Sequence, residues 1–401
     1  MQVGLLARYG LQYCEAEAPI GDFAEVTLRL LLAINELYAH VQDRHVSGPP
    51  RRAFFNVEVQ SAVLPNERLA HVIQRYYRLF RWCDDFPDGA EDRLPLRADF
   101  ERLMFMSADE YLAAAFSVLS HFLAIKSARS LPEHPPFFSR TQFGSTLTRR
   151  DALDVWINRF SQHDYELSAR ATEPTFTVSD LAPFIAKPLV TVANEYIFCP
   201  LPSLLEDTPN TRLYFALFAA YESIDGLEEA KKFSRLQGHC LESYVGELVA
   251  MMVPPGYHLH PEIHYPAPGG HRKSTDVVAV HVKDGSAVFI EVTKTRFRLT
   301  ESLFALDETA VMKDLDSMVL RKAKQIQRSL TDLADGLYSY PDTDTSIAPL
   351  VVTGEGIPGL IYLKHSIEEK LRSGCLLATS PFASSSQEKN IVGLPPLWKV
   401  D

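Results

Sequence analysis

The chain reads as a two-domain α/β protein: a largely helical first part, 1–235, then an α+β domain, 236–401, whose central mixed sheet is flanked by helices. Three observations carry this reading. At 401 residues the chain exceeds one typical domain, so two are expected. Apolar residues recur at helical spacing over long windows of the first part, whereas beyond residue 257 they form short β-branched runs. One of the breaks between those runs, Lys283-Asp284-Gly285-Ser286, contains Asp-Gly, the strongest short hairpin signal.

In chain order, residues 23–40 place Phe23, Val26, Leu30, Leu31 and Ile34 on one helical face. Mixed alternation over 54–63 fits a strand, and 67–83 forms a second helix through Leu69, Val72, Ile73, Tyr76 and Phe80. Helices at 99–105 and 107–127 follow, the second opened by the capping box Ser107-Ala108-Asp109-Glu110. A proline-rich loop at 131–136 precedes a helix at 151–169, and 188–199 reads as a hairpin turning at Ala193-Asn194-Glu195. The run Arg75-Tyr76-Tyr77-Arg78-Leu79-Phe80-Arg81-Trp82 admits two readings: bases stacked on aromatics with Arg on phosphate, or ordinary packing of one helix face. No chemistry attaches to this part from its sequence, and its role is left open, contact with a protein partner being one reading.

A formal charge of −11 argues against a simple basic nucleic-acid coat, though not against an enzyme whose acids are screened by their own cation. Between 292 and 330 the balance reverses, with eight Lys/Arg against five acids. The five cysteines, Cys14, Cys83, Cys199, Cys240 and Cys375, are scattered and odd in number, as expected of reduced thiols in the cytoplasm. The first residues lack the charged and apolar regions of a signal peptide, so none is expected there. The longest apolar stretch, 111–125, contains Ser117, Ser120 and His121 and is too short for a bilayer, so no membrane association is expected.

The chemistry concentrates between 238 and 295. A helix over 237–252 buries a stripe of Leu241, Val245, Leu248, Val249 and Met252. Glu242 lies about 100° round from Leu241, at the stripe's edge, and is preferred to Glu247, which lies further toward solvent. A first strand, 257–265, follows. Its His258, His260 and His264, with His271 beyond, suggest zinc, but they are too evenly spaced on one strand face for a tetrahedral cage and no cysteine is near.

Next come strands over 276–282 and 287–293. A two-residue turn at Asp284-Gly285 pairs Val278 with Glu291 and Asp276 with Thr293, and a four-residue loop is expected to give the same pairing. Asp276, Glu291 and Thr293 then share one face, the two acids on a diagonal of roughly 7 Å. Two acids in an apolar hairpin are costly to bury without a cation between them. Lys294 points to the opposite face, with Thr275. A long helix over 308–333, buried through Val311, Leu315, Val319, Ile326, Leu330 and Leu333, puts Lys322 and Gln325 on a shared face. A buried strand at 348–353, a closing helix at 357–372 and a surface loop at 384–390 complete the chain.

Helix with Glu242, strand, strand opening on Asp276, strand bearing Glu291, helix, strand: over 237–358 this order resembles the PD-(D/E)xK nuclease superfamily, the restriction-endonuclease-like fold. The resemblance implies Mg²⁺- or Mn²⁺-dependent endonuclease hydrolysis of phosphodiester bonds, in DNA and occasionally RNA, with Asp276, Glu291 and Glu242 as metal ligands. It also implies support from Gln325, since many relatives carry a Gln on that helix. The family's lysine two residues after the Glu is replaced here by Thr293. A β-bulge could bring Lys294 round, Lys322 or Lys324 could stand in, or the core is an inactive subunit that binds nucleic acid or a protein partner. A helical part joined to such a core also resembles proteins of bacterial anti-phage defence.

Overall fold

The computed structural model describes residues 69–83, 93–127, 137–144, 150–166, 184, 186–296, 308–340, 347–354, 367 and 397–399. The expected helix at 23–40, strand at 54–63, loop at 131–136 and loop at 384–390 lie outside these residues, as do Cys14, Cys375 and all of the helix at 357–372 except Ile367. The chain divides into two compact units, 1–85 with 94–233 and 86–93 with 234–401.

In the first unit, α1 (Leu69–Tyr76) continues as a π-helical turn, Tyr77–Arg81. Then come α2 (Leu96–Met104), α3 (Ala108–Ser127), β1 (Phe137–Ser139), α4 (Arg140–Gly144), α5 (Arg150–Phe160) and β2 (Ser161–His163). After β3 (Leu189–Val192) and β4 (Tyr196–Phe198) follow α6 (Ser203–Glu206), a second π-helical turn (Thr208–Arg212) and α7 (Leu213–Ile224). The capping box forms: the Glu110 carboxylate accepts from the Ser107 amide at 2.7 Å, and Ser107 Oγ from the Glu110 amide at 3.3 Å. The expected hairpin is β3–β4, closed through Ala193 and Asn194 at φ 49° and 59°, and it sits inside a four-stranded sheet ordered β1-β4-β3-β2. The helix expected to reach 169 stops at Phe160, because Ser161–His163 pairs in parallel with β3.

The arginine–aromatic run is mainly a packing element. Tyr76 and Phe80 are almost wholly buried, Tyr76 stacks on Tyr111, and its hydroxyl donates to the Ala108 carbonyl. Arg81 pairs with Asp109 at 3.0 Å. Trp82 remains partly exposed, against the Tyr77 ring.

The second unit is built on a five-stranded mixed sheet. The helix α8 (Leu227–Met252) begins ten residues earlier than its apolar stripe suggested, and the division between units falls within it. Leu241 and Val245 of that stripe are buried, but Met252 is 75 % exposed. After it come β5 (Tyr257–Pro261), β6 (His264–Ala267), β7 (Gly270–Lys273), β8 (Val277–His281) and β9 (Ala287–Thr293). The second helical layer is α9 (Glu308–Leu315), a π-helical turn (Asp316–Leu320) and α10 (Arg321–Ala334), followed by β10 (Ile347–Thr353) and β11 (Leu397–Lys399). The sheet order is β11-β10-β9-β8-β5. β5, β8 and β9 are antiparallel neighbours, and β10 is parallel to β9, a connection that needs the intervening helix as crossover.

The expected single strand over 257–265 is in fact two. Pro261 ends β5, and β6 pairs with β7 in a separate hairpin, so His258, His260 and His264 do not share one continuous strand. Val278, Val280, Ala287, Phe289 and Val351 of the sheet form one apolar cluster with Ile326 of α10 and with Tyr265, Tyr338 and Tyr340. Cys83, Cys199 and Cys240 are buried, and among the described residues none of them forms a disulfide. Among the described residues no helix is long and apolar enough to cross a membrane.

Candidate functional site

The β8–β9 register decides where the acids meet. The ladder pairs Val277 with Ile290 and Val278 with Phe289, so continuing it by one residue sets Asp276 directly across from Glu291. The sequence had put Thr293 across from Asp276 and the two acids on a diagonal. The difference arises in the turn. Asp284 Oδ1 accepts from the Ser286 amide at 3.0 Å and from its hydroxyl at 2.7 Å, and lies 2.8 Å from His281 Nδ1. That carboxylate cap, which also holds Asp284 below the usual carboxylate range, closes a four-residue loop between His281 and Ser286. Asp284-Gly285 thus forms its second half rather than a two-residue turn. The slide is by an even number of residues, so both acids keep their face.

Asp276 precedes the first β8 pair, and its Oδ2 accepts the Val292 amide at 2.7 Å in place of a ladder bond. Glu291 is 1 % exposed. On the same face, two residues earlier, Phe289 shares the apolar cluster with Ile326 of α10. Lys322 lies one helical turn before Ile326 and therefore over Glu291. Its Nζ donates to Glu291 Oε2 at 2.8 Å and lies 3.8 Å from Asp276 Oδ2. An ammonium thus occupies the space between the two acids.

Burial pushes Glu291 up from the usual carboxylate range, the facing Asp276 adds to this, and Lys322 opposes it. Asp276 is raised for the same first reason, with Lys322 opposing and Glu242 adding. Burial works against the charge of Lys322, yet Asp276 and Glu291 together hold it above the ordinary lysine range. Glu242 stands at the rim, where His239, one turn earlier on α8, places Nδ1 at 3.3 Å from Oε2 and is raised by that contact. Glu247 is exposed. Lys273 pairs with Glu262 at 2.9 Å and also feels Glu242 and Asp276.

The other candidates are not part of this group. Lys294 turns to the opposite side of the sheet: its ammonium donates to the Ser234 carbonyl of α8, and its side chain crosses Gly238, where an added Cβ would lie 2.8 Å from Lys294 Cδ. No bulge brings it round, because β9 keeps an unbroken register with β10 to Thr293. Thr293 is buried on the acid face, with Oγ1 accepting the Thr295 amide at 3.2 Å. Gln325 is half-buried, and among the described residues it makes no hydrogen bond to the acids. His239 was legible from its three-residue spacing to Glu242; Glu262 and Lys273 were not, because their proximity depends on the β6–β7 register.

Among the described residues, no group of three or more His, Cys, Asp and Glu stands close enough to hold a metal ion. The donor chemistry nevertheless fits a hard divalent ion. Two facing carboxylates already gather round a cation, and Mg²⁺ commonly takes one or two carboxylates and keeps several waters. No protein-family model matches the chain, and comparisons with curated proteins and with solved structures return no match.

Proposed function

We propose that the second unit is a metal-dependent nuclease of the PD-(D/E)xK type and that Lys322 replaces the lysine missing at Thr293. One observation carries this reading: Asp276 and Glu291 face each other across β8–β9 with a lysine ammonium between them. The element order α8, β5, β8, β9, α9–α10, β10, with β10 parallel to β9, supports it as the arrangement expected of that superfamily. Asp276 and Glu291 would hold Mg²⁺ or Mn²⁺, with Glu242 contributing from the rim. When bound, the ion supplies Lewis-acid polarisation of the scissile phosphate and a lower pKa for its attacking water. Lys322 offers positive charge to the phosphate oxygens as it gives up its place between the acids. The substrate is a nucleic acid, DNA favoured over RNA.

The test is cleavage of plasmid DNA, linear DNA and RNA in Mg²⁺ or Mn²⁺ by wild type, Glu291→Gln and Asp276→Asn. Each variant is expected to lose about 100-fold or more in rate while keeping its fold. Equal rates for wild type and variants would refute the assignment. The rival is an inactive nuclease-fold subunit that binds nucleic acid or a protein, and the 2.8 Å Lys322–Glu291 contact favours it as a purely structural ion pair. A melting temperature unmoved by Mn²⁺, with no cleavage, would decide for that rival.

A further inference from the structure

Between β5 and β8 the chain leaves the main sheet to form the β6–β7 hairpin, and an isolated two-stranded hairpin is marginal in water. This one is fixed from one side. Tyr265 and Arg272 are cross-strand partners and share a face. Both reach Asp332 of α10, which is 4 % exposed: the tyrosine hydroxyl donates at 2.7 Å, and Arg272 Nη1 donates to the two carboxylate oxygens at 2.9 and 3.1 Å. The Tyr265 ring also stacks on Tyr338, with centroids 4.5 Å apart.

The same register assigns the outer face. His264 pairs with Lys273 and Pro266 with His271, and all four are exposed. At the tip, Gly269 and Gly270 adopt φ of 90° and 131°, and a Cβ on either would meet nothing within 4 Å. Their glycines serve the turn and leave its end bare. Lys273 is three residues from Asp276, and Glu242 and Asp276 both act on its charge. Glu262 holds its ammonium at 2.9 Å and lies at the same distance from His264 Nε2. The hairpin, held by Asp332, thus presents one lysine three residues from Asp276 with two imidazoles on the same outer face.

We propose that this outer face grips the phosphodiester backbone of a nucleic acid strand; the inference rests on the nuclease reading. Lys273 exchanges the Glu262 carboxylate for a phosphate oxygen, and His264 and His271 donate ring N–H groups to the backbone. Because Asp332 already fixes the hairpin, binding orders little that is loose. The Lys273 ammonium, three residues from Asp276, is the positive charge this face offers a phosphate once it leaves Glu262.

Fluorescence anisotropy in EDTA, with labelled single-stranded DNA, duplex DNA and single-stranded RNA, tests the proposal. Lys273→Gln and His271→Glu are each expected to weaken binding about 3- to 10-fold, and Lys273→Gln to make the log–log salt slope shallower by about one. Lys283→Glu, in the exposed β8–β9 loop, should change nothing. Unchanged affinity in both hairpin variants, or equal weakening by Lys283→Glu, would overturn the proposal. Neither hairpin side chain touches Asp332, and urea midpoints check that each variant folds; if Lys273→Gln unfolds, His271→Glu alone decides. If wild type cleaves in Mn²⁺ while the hairpin variants keep wild-type affinity, the hairpin proposal fails and the nuclease reading stands. If wild type neither binds nor cleaves, both fail.

Discussion

Asp332 on α10 and Glu291 on β9 are both buried acids neutralised by a cation from another element. Asp332 is saturated: three hydrogen bonds from Tyr265 and Arg272 occupy both of its oxygens. Glu291 accepts one ammonium and faces a second carboxylate, with Glu242 nearby as a further source of negative charge. One arrangement balances its charges and serves to hold a hairpin. The other sets two facing carboxylates against one ammonium, and the raised pKa values of both acids register that imbalance. Burial alone therefore does not mark a site; burial with an unbalanced count of charges does.

Removing each carboxylate's partner should separate these roles. The largest effect is expected for Asp332→Ala, which strands Arg272 and the Tyr265 hydroxyl and should cost about 4 to 5 kcal/mol in urea unfolding. If the nuclease reading holds, wild type gains melting temperature in Mn²⁺, and the folded Asp332→Ala variant should gain as much. A loss below about 1 kcal/mol would show that the Asp332 cluster is no more than a surface pair.

Next comes Lys322→Met. Asp276 and Glu291 both have raised pKa values in the folded state, so the stability tied to their protonation is fully present below the ordinary carboxylate range near pH 4. It is lost as pH rises through the raised values. Without Lys322 those values rise further, so the variant should match wild type more closely at pH 5 and fall below it by about 2 to 4 kcal/mol at pH 8. Added Mn²⁺ should restore part of the loss at pH 8 and little at pH 5, where protons compete for the carboxylates. Melting curves in which the gap between variant and wild type does not change with pH would contradict the unbalanced-charge reading.

The smallest effect is expected for Lys294→Ala, whose loss includes the hydrogen bond to the Ser234 carbonyl and should be about 1 kcal/mol. Its cleavage rate should equal that of wild type. A large rate loss with normal stability would put Lys294, rather than Lys322, in the reaction.

The sequence by itself determined what depends on short spacings. The capping box at Ser107, the helical stripe that puts Lys322 one turn from Ile326, and the alternation that keeps Glu291 and Lys294 on opposite faces all follow from backbone periodicity. Parity also fixed Asp276 and Glu291 on one face, since any even slide of the hairpin preserves it. Only the tertiary structure decided the rest. The Asp284 cap chose the register, Pro261 broke the strand expected to be continuous, and the packing of Ile326 on Phe289 brought Lys322 across 31 residues onto Glu291. Those outcomes rest on contacts between distant segments, whose energies compete at the level of single hydrogen bonds and buried side chains, and no local pattern encodes which of them wins.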